Sequence, residues 1–212
     1  MIDPGKYNYT EGFTPEKFGR VDVLIVTHKH ADHHDVEAEK LIYDLWKPKI
    51  YSSVDIADNE DNLLPYNGVQ PGDSAIIEGV RLNFINTDHF AKGEHVEAVG
   101  VLITDGNKRI YHTSDTRFME SEMFDLDAVK GVDVLFVPIS NRGLVMGIDD
   151  AITFTALIQP EIVVLMHYDS PKDRVRVKPE DFVERFNMLK ERLSELKDTV
   201  PKVLNFAEGM DI

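Results

Sequence analysis

The chain has 212 residues and no cysteine, so disulfides are excluded and any bound metal must be held by histidine or carboxylate. With 42% hydrophobic and 29% charged residues, it has the make-up of a globular protein large enough for one domain, 1–212, with a buried core. The net charge of −15 repels polyanions and counts against a nucleic-acid partner, while the short apolar runs exclude a membrane span.

In chain order, Met1-Ile2-Asp3-Pro4 lacks the pattern of a secretory leader, which predicts a cytoplasmic protein. The first strand is expected over Val21 to Val26. It runs straight into Thr27-His28-Lys29-His30-Ala31-Asp32-His33-His34. Five imidazole or carboxylate side chains, His28, His30, Asp32, His33 and His34, would be costly in an ordinary core. The bland alternative, a surface histidine cluster, does not account for their position directly behind a strand, where α/β proteins place their sites. Alternate residues of an extended segment point the same way, so His28 and His30 can reach one ion together. Once the chain turns near Asp35, Asp32 and His33 can serve a neighbouring position. Such ligands suit zinc, manganese or iron, and not calcium.

A helix is expected over Val36 to Trp46, followed by strands Lys49 to Ser52, Ser74 to Ile77, Val80 to Ile85, Ala98 to Thr104 and Arg109 to His112. Glu78-Gly79 and Asp105-Gly106-Asn107 are hairpin turns by composition. Strands Val132 to Val137 and Ile162 to Met166 are near-continuous apolar runs, as in strands buried on both faces. Between them lies a helix, Asp149 to Ile158, with Asp149 as its candidate N-cap and Pro160 behind it. The last helix, Glu180 to Lys197, carries Phe182, Phe186, Leu189, Leu193 and Leu196 on one stripe. Three further ligand-type residues follow predicted strands: His89 after Val80 to Asn86, Asp115 after Arg109 to His112, and His167 after Ile162 to Met166. His95 rivals His89. A single four-ligand group would be a closed structural site, so catalysis needs additional ligands and an open position.

Several segments together resemble the metallo-β-lactamase superfamily: Ile2-Asp3-Pro4, the Thr27 to His34 motif, the His after the next long strand, Tyr111-His112-Thr113-Ser114-Asp115-Thr116 and Val164-Leu165-Met166-His167-Tyr168. Within it, the sequence is most similar to the metal-dependent hydrolase group that includes L-ascorbate-6-phosphate lactonase. The resemblance implies a four-layer αβ/βα sandwich, an α/β (α+β) fold that here begins without the usual first N-terminal strand pair. It implies His28, His30 and His89 on one ion, Asp32, His33 and His167 on a second, and Asp115 bridging them. By the resemblance Asp3 would support the metal loop, with a disordered terminal acid as the rival reading, and His34 and His112 are read as structural or as orienting ligands by hydrogen bonds.

The resemblance also implies Gly-Gly where this chain has Pro138-Ile139-Ser140-Asn141-Arg142-Gly143. Arg142 there is either a contact for an anionic substrate or a surface charge, and Tyr168 either lines the cleft or packs. An exposed first edge strand would invite pairing, so a homo-oligomer is expected.

The chemistry expected is hydrolysis by water activated between two divalent ions, zinc first and Mn2+ or Fe2+ as alternatives, with Asp32 orienting the water and taking its proton. The acidic balance favours a small polar ester, lactone or phosphate ester. A phosphodiesterase or nuclease on the same fold, a di-iron redox protein and a non-catalytic metal-binding protein are the alternatives. His30 stands where the di-iron version has Glu.

Overall fold

The computed structural model describes residues 1–5, 14–59, 63–119, 124–168, 177–196, 198–204 and 208–210. Its chain divides into two compact units, Met1–Pro71 with Val96–Val99, and Gly72–His95 with Gly100–Ile212.

The first unit is built from β1 (Val23–Val26), helix α1 (Val36–Trp46), β2 (Lys49–Ser53), the one-turn helix α2 (Val54–Ala57) and β3 (Tyr66–Val69). Its strands pair in parallel in the order β1-β2-β3. Parallel neighbours cannot be joined by a tight turn, so α1 serves as the crossover between β1 and β2. Asp35 caps α1 by accepting from the N–H groups of Glu37 and Ala38. Leu24, Val26, Ile42 and Ile50 form the core, and burying each stabilises the unit by about 1.5–3 kcal/mol. Met1 and Ile2 lie along β1: Ile2 bridges Ile25 in parallel, and the terminal ammonium donates to Val23 O at 2.8 Å. The start of the chain is thereby laid beside the strand that delivers the histidine motif.

The second unit contains β4 (Ser74–Ile77), β5 (Val80–Asn86), the short pair β6 (Phe90–Ala91) and β7 (Glu94–His95), β8 (Val99–Asp105) and β9 (Lys108–His112). Helix α3 (Leu126–Val129), β10 (Val134–Pro138), helix α4 (Ile148–Ile158), β11 (Ile162–Met166), helix α5 (Pro179–Lys190) and β12 (Val200–Val203) follow. Seven strands form one sheet in the order β12-β11-β10-β9-β8-β5-β4. β9 to β12 pair in parallel, whereas β4-β5 and β8-β9 are antiparallel hairpins. Glu78 and Gly79 both have positive φ, 51° and 93°, the geometry a two-residue hairpin turn needs to follow the strand twist. Phe154, Phe182 and Phe186 from α4 and α5 share a core with Leu135, Val137, Val163 and Leu165 of β10 and β11.

Two expectations need correction, and one strand was not expected. Helix α4 is capped by Gly147, so Asp149 lies in its first turn instead of at the cap; an acid there still complements the helix dipole. Helix α5 ends at Lys190, and Ser194–Leu196 is a separate 3-10 turn. The N–H groups of Arg192, Leu196 and Thr199 each reach back three residues, and such tightened turns keep Leu196 buried on the spacing that read as one helix. Lys197, its expected end, lies outside the described residues. Strand β3, with the sequence Tyr-Asn-Gly-Val, has little strand propensity of its own. Pairing with β2 is what makes it a strand. Among the described residues, no helix is long and apolar enough to cross a membrane.

Candidate metal centre

In the first unit one carboxylate organises the histidine motif. Asp3 is buried and held at a φ of 50°. It accepts from Thr27 N–H at 2.7 Å, from Thr27 Oγ1 at 2.8 Å and from His33 Nδ1 at 2.8 Å. Both ends of the loop from 27 to 33 therefore hang on one side chain. Thr27 has a single hydroxyl proton, committed to Asp3, so its 3.1 Å contact with His28 Nδ1 is donated by the imidazole. His28 and His33 thus carry their protons on Nδ1 and keep the Nε2 lone pair that a metal requires.

The loop also closes on itself, His33 and His34 N–H both donating to His30 O. The His28 ring lies 4.9 Å from that of His30 and 4.1 Å from that of His33, centroid to centroid. Gly5 is required by this packing. A Cβ there would stand 1.8 Å from Asp32 O and 2.5 Å from His33 N.

His34 turns the other way. Its Nδ1 pairs with Glu39 Oε1 at 2.7 Å. Glu39 is fully buried in α1 and also accepts from Asp35 N–H at 2.9 Å and from Tyr66 Oη at 2.6 Å. Burial pulls the His34 pKa down, but the hydrogen bond and charge of Glu39 outweigh it, and the group sits above the ordinary histidine value. Burial together with the same carboxylate pushes the Tyr66 phenol well up. Glu39 and Tyr66 were not singled out from sequence. The available signal was an acid on the inward stripe of α1 beside Ala38 and Ile42.

In the second unit the ligand-type residues come from three strand ends. His89 follows β5 and is buried, while His95 lies exposed on β7 with its ring against Phe90. Asp115 follows β9 and His167 follows β11. Both strands flank β10 in parallel, so their C-terminal ends open at one edge of the sheet. His167 Nε2 lies 3.3 Å from Asp115 Oδ2. The residues presenting them are strained: Ser114 has φ 62° and His167 φ 65°, conformations that bulky residues hold mainly where surrounding structure imposes them. His112 Nδ1 accepts from Ser114 N–H at 3.1 Å, holding the turn that aims Asp115. Tyr168 packs on the core and donates to Leu204 O at 2.7 Å. Arg142 is exposed on its loop.

Each of the seven side chains expected as ligands offers an atom that could help hold a metal ion. The donor set is imidazole and carboxylate throughout. It fits a first-row divalent metal.

A family model described as the beta-lactamase superfamily domain matches residues 1–167. The chain belongs to the metallo-β-lactamase superfamily. Two similar members are named metal-dependent hydrolases: one from Metallosphaera sedula, 29% identical over 190 residues covering 86% of this chain and 77% of its own, and one from Methanocaldococcus jannaschii, 29% identical over 182 residues covering 80% and 76%. A metallo hydrolase of the archaeon Ignicoccus hospitalis shares the fold with a TM-score of 0.75 at 23% identity, covering 98% of this chain and 87% of that one. The superfamily chain described here is accordingly a metal-dependent hydrolase of the metallo-β-lactamase fold.

Proposed function

We propose that these seven side chains serve a dinuclear hydrolytic centre. His28, His30 and His89 would hold one ion, Asp32, His33 and His167 a second, and Asp115 would be shared by the two. Zinc is the first choice, with Mn2+ or Fe2+ as alternatives. The observation that carries this reading is the Asp3–Thr27 network, which leaves Nε2 of both His28 and His33 as a lone-pair donor. Carboxylate support of ligating imidazoles raises their basicity and fixes their orientation.

When bound, a metal pair supplies Lewis acidity that lowers the pKa of water toward about 7 and polarises the bond to be cleaved. Asp32 orients the attacking water and accepts its proton. Asp3 holds the His33 ring while Asp32, one residue before it, does this work. With a net charge of −15, the surface disfavours a polynucleotide, and the substrate class proposed is a small polar ester, lactone or phosphate ester. A cytoplasmic homo-oligomer remains part of the proposal.

Elemental analysis of the purified chain tests the reading. About two ions per chain are expected, with at least one lost in Asp115→Ala. Hydrolysis of a panel of esters, lactones and bis-p-nitrophenyl phosphate is expected to vanish in His28→Ala. A wild-type protein holding one ion, unaffected by Asp115→Ala, contradicts the bridging role.

A further inference from the structure

His89 and Asp115 sit on different loops of the second unit, and the residues beside them are tied together. Arg117 N–H donates to Asp88 O at 2.9 Å. Asp88 N–H donates to Thr116 Oγ1 at 2.8 Å. Arg117 Nη2 pairs with Asp88 Oδ1 at 2.7 Å. The Arg117 guanidinium also lies over the Phe90 ring, 4.7 Å from its centroid. On one loop Asp88 and Phe90 bracket His89; on the other Thr116 and Arg117 follow Asp115.

The Asp88 side chain is only 2% exposed, and its Oδ2 has no hydrogen-bond partner among the described residues. Arg117 is therefore the cation that compensates a buried carboxylate, and a buried pair in this position is costly to break. A backbone bond, a side-chain-to-backbone bond, an ion pair and a cation–π contact all act between the same two loops. Such a set fixes a distance rather than merely adding stability.

We infer that Asp88 and Arg117 are positioning residues: their clamp sets the separation and aim of His89 and Asp115, and through them the affinity for metal. The inference rests on the reading of His89 and Asp115 as ligands. Neither Asp88 nor Arg117 contacts an ion in this account. They act through the backbone of the ligand loops. Loss of the clamp lets His89 and Asp115 move independently, so the first consequence is weaker metal binding in a chain that still folds.

The test measures Zn2+ affinity and stoichiometry by chelator competition on the full chain, with folding of each variant checked by circular dichroism. Arg117→Met is expected to weaken Zn2+ binding by about 10- to 100-fold, the usual effect of losing support behind a ligand. Arg117→Lys keeps the charge without the planar fork and is expected to fall between Arg117→Met and wild type. Asp88→Asn combined with Arg117→Met should bind no more weakly than Arg117→Met alone, because both substitutions break one contact.

A role confined to stability would lower the melting temperature and leave the affinity of the folded chain unchanged. Wild-type Zn2+ affinity in folded Arg117→Met overturns the inference, and so do losses that multiply in the double variant. If Arg117→Met does not fold, Arg117→Lys decides in the same way: intermediate affinity supports the clamp and unchanged affinity overturns it. A wild-type chain that binds none of Zn2+, Mn2+ and Fe2+ removes the underlying assignment of His89 and Asp115 as ligands. An unperturbed variant of a zinc-binding wild type removes only the clamp.

Discussion

The first unit concentrates its ligand-type residues in one loop of seven positions, His28 to His34, whereas the second spreads His89, Asp115 and His167 over three strand ends. The difference decides what holds each set in place. The contiguous loop has no sheet partner for most of its length and hangs on Asp3, Gly5 and its own turn. Of the dispersed set, Asp115 and His167 inherit their placement from the register of β9, β10 and β11, while His89 follows β5. The first set therefore depends on single residues near the start of the chain, whereas the second divides its support between the sheet and the contacts that join the His89 and Asp115 loops.

The sharpest way to break that contrast is Gly5→Ala. The added methyl meets backbone atoms of Asp32 and His33, which cannot swing aside like a side chain. We expect a stability loss at or above about 3 kcal/mol, the upper end of ordinary overpacking, read from urea unfolding, with the metal content of the folded fraction reduced. A loss of about 0.5 kcal/mol or less, the size of an ordinary surface change, would show that the loop is held elsewhere.

Next in size is Asp3→Asn. The amide can still accept from Thr27 N–H through its oxygen but then presents its nitrogen, a donor, to both the Thr27 hydroxyl and His33 Nδ1, which disturbs the tautomer that exposes Nε2. Metal affinity should fall by about 10- to 100-fold, measured by chelator competition. An unchanged affinity would mean that the loop fixes its imidazoles without the carboxylate.

The smallest effect concerns His34 and Glu39. The folded pKa of His34 is raised, so the stability from its charged pair is fully present below the unfolded value of 6.5. That contribution is lost as pH rises through the folded value. In metal-stripped protein we expect stability to decline across this window by about 1 kcal/mol or less, and Glu39→Gln to flatten the decline. A pH profile identical in wild type and Glu39→Gln would detach His34 from the buried carboxylate.

Much of this contrast could be read before any coordinates. The Thr27 to His34 motif announces itself because its spacing is local, and strand ends before His89, Asp115 and His167 follow from short β-branched runs. Elements that depend on partners could not be read. Strand β3 exists by pairing with β2, and the chain beyond Lys190 turns into a 3-10 segment although its apolar spacing continues the helix. The support residues were the least visible. Glu39, Tyr66, Asp88 and Arg117 are ordinary polar residues in the sequence, and only burial beside a ligand loop gives them a role.

Sequence alone determined the donor chemistry, because cysteine is absent and the histidines and acids fall behind predicted strands. Tertiary structure decided which nitrogen of His28 and of His33 is available and that position 5 tolerates no side chain. The physical reason is that residue types and periodicity are local properties of the chain. Hydrogen-bond partners and steric limits are set by segments far away in sequence, as Asp3 and Gly5 are from His33.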